Sequence, residues 1–222
     1  MEQIGEHAWR PEATRGSHTF LLQAEENWIL IDTGYPHETA RLIAELETKT
    51  RKLDGIFLTH HDFDHIGGAA RLQKRFGAPV CLHSLDIPFF HGARKEPRGK
   101  NAAGLLSRLT AGTPHNLLPL EKISGEKIEW FWMPGHTPGH CIFRFEDLLF
   151  TGDLFANPGE PENMWKYHED FAETGKSLAK TAEMTASVFC PAHGELLPAT
   201  KGSRERLADL AAALTAHGPR KR

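Results

Sequence analysis

The chain is poor in several things, and each shortage removes a class of protein. Among 222 residues there are 3 cysteines, and Cys81, Cys141 and Cys190 are scattered and odd in number. They make no CxxC pair and no disulfide framework, so a reducing cytosol is the natural compartment. Neither charge dominates: the net charge is −3 at pH 7 and the pI is near 6.5. That balance gives no general case for nucleic acid or a membrane surface as partner. No apolar run is long enough to span a bilayer. The start, MEQIGEHAWR, has no basic stretch followed by an apolar one, so no signal peptide is expected. There is no GxSxG elbow for a serine nucleophile and no P-loop.

What remains is ordinary with one exception. Hydrophobic content of 40% and charged content of 25% suit a soluble globular protein, and the length suits a single domain with a sizeable core. The exception is 14 histidines beside only 2 tyrosines. Histidine is the commonest metal ligand, so the count raises the expectation of a metal site without locating it.

Periodicity and turn signals predict strands over 17–24 and 28–32, a helix over 38–48, a strand over 56–59, a helix over 69–76 and a strand over 80–83. This β-β-α-β-α-β order favours a layered α/β domain. Residues 84–120 are rich in proline and glycine and carry Arg94, Lys95, Arg98 and Lys100. They read as a lid or binding loop with a short helix over 102–109. The basic cluster is either a solvated loop or a means of steering an anionic substrate. Further on, a strand is expected over 127–133, a hairpin from 141–145 and 148–151 turning at 146–147, a helix over 171–185 and a strand over 187–190. Ser203 is positioned to cap a last helix that buries Leu207, Leu210, Ala211 and Leu214.

One pattern recurs. Ligand-type residues follow apolar strands directly at Asp32, at His60–His65, at His136, at Asp153 and at His193. Sites in layered α/β proteins gather in loops beyond strand ends. The densest instance is THHDFDH, residues 59–65, with three histidines and two aspartates. Taken alone, its acidic groups could simply cap the next helix.

The motifs LIDTG (30–34), LTHHDFDHIGG (58–68), PGHTPGH (134–140), LFTGD (149–153) and PAHG (191–194) together resemble the metallo-β-lactamase superfamily, in its glyoxalase-II-like branch. The resemblance implies an α/β fold, the αββα sandwich of two mixed sheets flanked by helices. It implies two divalent metal ions, zinc first, with iron or manganese as alternatives. His60 and His136 would hold the first, Asp64, His65 and His193 the second, and Asp153 would bridge them. Asp32 would brace the ligand loops, and His140 would be structural or supporting. Asp62 stands where the family motif, His-x-His-x-Asp-His, has its second histidine. It is expected to ligate the first metal as a carboxylate, although holding a water, or leaving the first position weak, stay open.

The function so implied is hydrolysis of an ester-type bond, a thioester, lactone or phosphoester, by hydroxide that the metal makes available, with Asp64 accepting a hydrogen bond from it. The alternatives are a mononuclear iron oxygenase of the persulfide dioxygenase type, or a non-catalytic ligand-binding protein on a degenerate site. The expected partner is a small-molecule substrate; oligomeric state is not legible. Of the other residues, His61 is expected beside the site or exposed. His18, His37, His83, His91, His115, His168 and His217 are expected to be exposed or hydrogen-bonded structure, Trp130 and Trp132 core, and Trp165 and Tyr167 substrate contacts.

Overall fold

The computed structural model of the protein describes residues 1–90, 112–123, 128–157, 159, 162 and 167–216. The basic cluster at 94–100, the short helix expected over 102–109, Trp165, His91 and His217 lie outside these. The chain divides into two compact units, Met1–Lys127 and Ile128–Arg222.

The first unit is a seven-stranded mixed sheet whose strands neighbour one another in chain order. They are β1 (Glu2–Gln3), β2 (Ala8–Arg10), β3 (Phe20–Ala24), β4 (Asn27–Ile31), β5 (Gly55–Phe57), β6 (Val80–Leu82) and β7 (Leu118–Pro119). Pairing is antiparallel from β1 to β4 and parallel from β4 to β7. The β3–β4 hairpin turns through Glu25 and Glu26, with Glu25 at φ 56. The parallel steps need crossovers. Two of these are helical, α1 (Thr39–Leu46) and α3 (Ala69–Phe76), with the single turn α2 (Phe63–Ile66) just ahead of α3. Leu42 and Leu46 of α1 and Leu72 of α3 pack with Leu30, Ile56, Val80 and Leu82 in one apolar core. A last turn, α4 (Ile87–Phe90), falls in the stretch read as irregular. β1, β2, α2 and α4 are too short for periodicity to show them.

The second unit is a five-stranded mixed sheet in the order β12-β11-β10-β9-β8. Its strands are β8 (Glu129–Trp132), β9 (Cys141–Phe145), β10 (Leu148–Gly152), β11 (Val188–Pro191) and β12 (Leu197–Pro198). The β9–β10 hairpin turns at Glu146-Asp147 as expected, and β10 pairs in parallel with β11. Helices α5 (Phe171–Glu183) and α6 (Lys201–Ala216) share an apolar core with this sheet: Leu178 and Ala182 of α5, and Leu207, Leu210, Ala211 and Leu214 of α6, meet Ile142, Leu149 and Phe189.

Two expectations fail here. The cap of α6 is Thr200, whose hydroxyl accepts from the Ser203 N–H at 3.2 Å, while the Ser203 hydroxyl donates back to the Pro198 carbonyl at 2.6 Å. Thr200 sits one residue before the helix, where the first free N–H groups need an acceptor. Trp132 is not core: it is 48% exposed, since β8 is an edge strand, and its indole N–H donates to the Pro138 carbonyl at 2.9 Å.

Candidate metal centre

In the first unit the ligand-type residues stand at the C-terminal ends of parallel strands. β4 ends at Asp32, which takes φ 57, a left-handed conformation that Asp tolerates better than most residues. The turn leaves its carboxylate buried, at 2% exposure, facing the end of β5. Asp32 Oδ1 accepts from the Thr59 backbone N–H and Oδ2 from the Thr59 hydroxyl, both at 2.8 Å. His65 Nδ1 also meets Oδ2 at 2.8 Å.

These bonds fix two imidazoles. A carboxylate only accepts, so His65 donates from Nδ1, and in the neutral ring the lone pair is then on Nε2. The Thr59 hydroxyl spends its proton on Asp32, so at 2.9 Å from His60 Nδ1 it accepts, and in the neutral His60 ring the lone pair is likewise on Nε2. Both rings are fully buried, with centroids 4.0 Å apart. Ser17, expected in a strand, lies in the loop before β3, and its hydroxyl is 3.3 Å from His65 Nε2.

The segment is not mere helix capping. Asp62 occupies the cap position of α2, yet its side chain makes no capping hydrogen bond. Asp62 Oδ2 lies 3.6 Å from His60 Nε2, and Asp64 Oδ2 lies 3.8 Å from His65 Nε2. His61 is buried, with its ring stacked on Phe89 at 4.2 Å and Nδ1 3.0 Å from Asp86 Oδ2. The loop can fold this tightly because residue 67 is glycine. A Cβ there would lie 2.4 Å from Pro36 Cδ and 2.6 Å from the Gly34 carbonyl oxygen.

In the second unit Asp153 follows β10 and is 3% exposed. Its two oxygens face different imidazoles: Oδ2 is 3.6 Å from His136 Nε2 and Oδ1 is 3.4 Å from His193 Nε2. His140 accepts the Asp153 backbone N–H on Nε2 at 3.2 Å, the supporting role expected of it. The His193 loop is tied to Asn157, whose N–H donates to the His193 carbonyl at 2.9 Å and whose Nδ2 donates to the Glu195 carbonyl at 2.9 Å.

The donor set suits divalent cations. The four imidazole–carboxylate spacings run from 3.4 to 3.8 Å, beyond the ~2.7–3.2 Å of a good N–H···O bond. They are close to the ~3.3 Å edge between two ligand atoms each ~2.0–2.1 Å from one tetrahedral ion. His60, Asp62, Asp64, His65, His136, Asp153 and His193 are all side chains able to hold an ion. Sequence reasoning missed Ser17, Thr59, Asp86 and His168. Thr59 lay inside the quoted segment, but a hydroxyl beside histidines carries no signal of its own.

The model of the metallo-beta-lactamase superfamily matches residues 13–193. The chain belongs to the metallo-β-lactamase superfamily. It is 26% identical over 208 residues to the probable metallo-hydrolase YybB of Bacillus subtilis, covering 88% of this chain and 91% of that one. It is 30% identical over 147 residues to hydroxyacylglutathione hydrolase GloC of Haemophilus influenzae, covering 64% and 67%. Among solved structures, TTHA1623 in a di-iron-bound form matches with a TM-score of 0.67 and 26% identity, covering 87% of this chain and 96% of that one. The two mixed sheets with flanking helices are the fold of this superfamily. As a member with metallo-hydrolase relatives, the protein is a metal-dependent hydrolase.

Proposed function

We propose that the protein cleaves an ester-type bond in a small substrate, thioester before lactone or phosphoester, with two divalent ions. The observation that carries this reading is the division of labour at Asp153, one oxygen toward His136 and the other toward His193. A carboxylate so placed would serve two positions at once, which supports the bridging role. By the family resemblance, His60, Asp62 and His136 would hold the first ion, and Asp64, His65 and His193 the second. Divalent ions held there would lower the pKa of a water and polarise the bond under attack.

The chain's own residues do the rest. Asp32 and Thr59 hold His60 and His65 in the tautomer that can bind. Asp64 would accept a hydrogen bond from the attacking hydroxide and so orient it. The thioester preference is supported by the likeness to hydroxyacylglutathione hydrolase. Zinc stands first on family grounds; the hard carboxylate at Asp62 supports iron or manganese as alternatives, and the di-iron relative supports iron. We place the enzyme in the cytosol, on the ground that its three buried cysteines form no disulfide. No nucleic-acid or membrane partner is proposed.

The test is hydrolysis of an acyl-glutathione thioester by wild type and by Asp153→Ala. The variant should lose activity altogether. Turnover at the wild-type rate would refute the shared role of Asp153.

A further inference from the structure

We infer that His168 is a positioning residue for the first metal position: it fixes the tautomer and ring orientation of His136. This rests on the metal reading above and goes beyond it, because residue 168 lies outside the five motifs that carry the family resemblance. His168 is 1% exposed, and its Nδ1 lies 3.1 Å from Nδ1 of His136, with the two rings edge to face at 89°. A pair of imidazole nitrogens at that distance shares one proton, so one donates and the other accepts. His136 turns Nε2 toward Asp153, so Nε2 is its ligand atom and must be bare. The proton of His136 is therefore on Nδ1, and His168 Nδ1 accepts it.

The backbone shows that this meeting is built. The Glu169 N–H donates to the Gly135 carbonyl at 3.0 Å and approaches the His136 carbonyl at 3.3 Å, and the Asp170 N–H donates to the Gly135 carbonyl at 2.9 Å. Asp170 then caps α5 by accepting from the Glu173 N–H at 3.0 Å. The segment bearing His168 is thus stitched on one side to the residue before His136 and on the other to a helix.

The acceptor chosen is chemically distinct from the one behind His65. That ring is held by the Asp32 carboxylate, which strengthens an imidazole as a donor to metal. Behind His136 stands a neutral imidazole, and behind His60 a hydroxyl. The first position is also the one in which Asp62 takes the place of an imidazole. Negative charge there sits in the ligand set rather than behind an imidazole.

The experiment titrates metal-free protein with zinc against a chromophoric chelator, comparing wild type, His168→Leu and His168→Asn. Leu removes the acceptor; Asn returns an oxygen close to where Nδ1 was. His168→Leu should weaken one of the two binding events by ~10–100-fold and leave the other alone, and His168→Asn should recover most of the loss. Equal binding by Leu and wild type would overturn the inference. So would an Asn variant as weak as Leu, which would make the role packing rather than hydrogen bonding. Wild type that takes up no zinc would overturn the metal reading itself, and the inference with it. Melting of each metal-free variant reports folding separately.

Discussion

At the scale of single residues, the centre depends on which atom of each side chain is left bare. Asp32 determines this for two imidazoles at once, directly for His65 and through the Thr59 hydroxyl for His60. Asp62 stands where the family motif has its second histidine, and its oxygen lies 3.6 Å from His60 Nε2, which supports the proposed ligand role. Asp62→His should therefore tighten zinc at the weaker position by ~10-fold or more, since a borderline ion prefers imidazole to carboxylate. Competition with a chelator measures it, and an unchanged affinity would mean that residue 62 holds no metal. The ligand-type residues were legible in the sequence because they crowd at strand ends. His168 was not, because it stands 32 residues from His136 and nothing near it in the chain marks its neighbour.

At the scale of elements, two junctions carry testable strain and charge. Gly135 has φ 130, and a Cβ there would sit 2.2 Å from the Thr174 backbone nitrogen at the start of α5. Gly135→Ala should cost ~3 kcal/mol or more, from a backbone clash and a conformation closed to alanine. A denaturant midpoint measures this, and a loss under ~1 kcal/mol would mean the helix end yields freely. The second junction ties the loop after β6 to the turn after β7. Burial pushes the Glu121 carboxyl up, but hydrogen bonds from the Ser84 hydroxyl and backbone N–H, and the nearby His83, outweigh it and hold it below 4.5. Its stabilisation is then fully present above pH 4.5 and is lost as pH falls through the folded value. Glu121→Gln should lower the denaturant midpoint at neutral pH, and the gap should close in acid. A gap that persists or widens in acid would contradict the assignment. Strands and helices of five residues or more were visible as periodic patterns, and α3 matches its expected bounds, 69–76. The edge position of β8 was not, since alternation in Glu129–Trp132 does not say which neighbour a strand lacks, and so Trp132 was misplaced.

At the scale of the whole molecule, each unit carries some of the proposed ligands. His60, Asp62, Asp64 and His65 belong to the first unit, and His136, Asp153 and His193 to the second. Each unit builds its share in the same way, with a hairpin, a strand parallel to the next, and an aspartate just past the strand end at Asp32 and Asp153. The segments LIDTG (30–34) and LFTGD (149–153) are weakly alike, a trace of this in the sequence. The function was legible as far as a metal-dependent hydrolase, because metal chemistry needs particular residue types at particular strand ends. The substrate was not, because selection among ester-type bonds rests on the shape of the surrounding loops, which residue types alone do not encode. The most direct measurement is elemental analysis of protein purified without added metal. About two equivalents of zinc, iron or manganese per chain are predicted, falling on Asp153→Ala. A content near zero that metal addition does not raise would contradict the account, and about one equivalent of iron with oxygen uptake would replace hydrolysis by oxygenation.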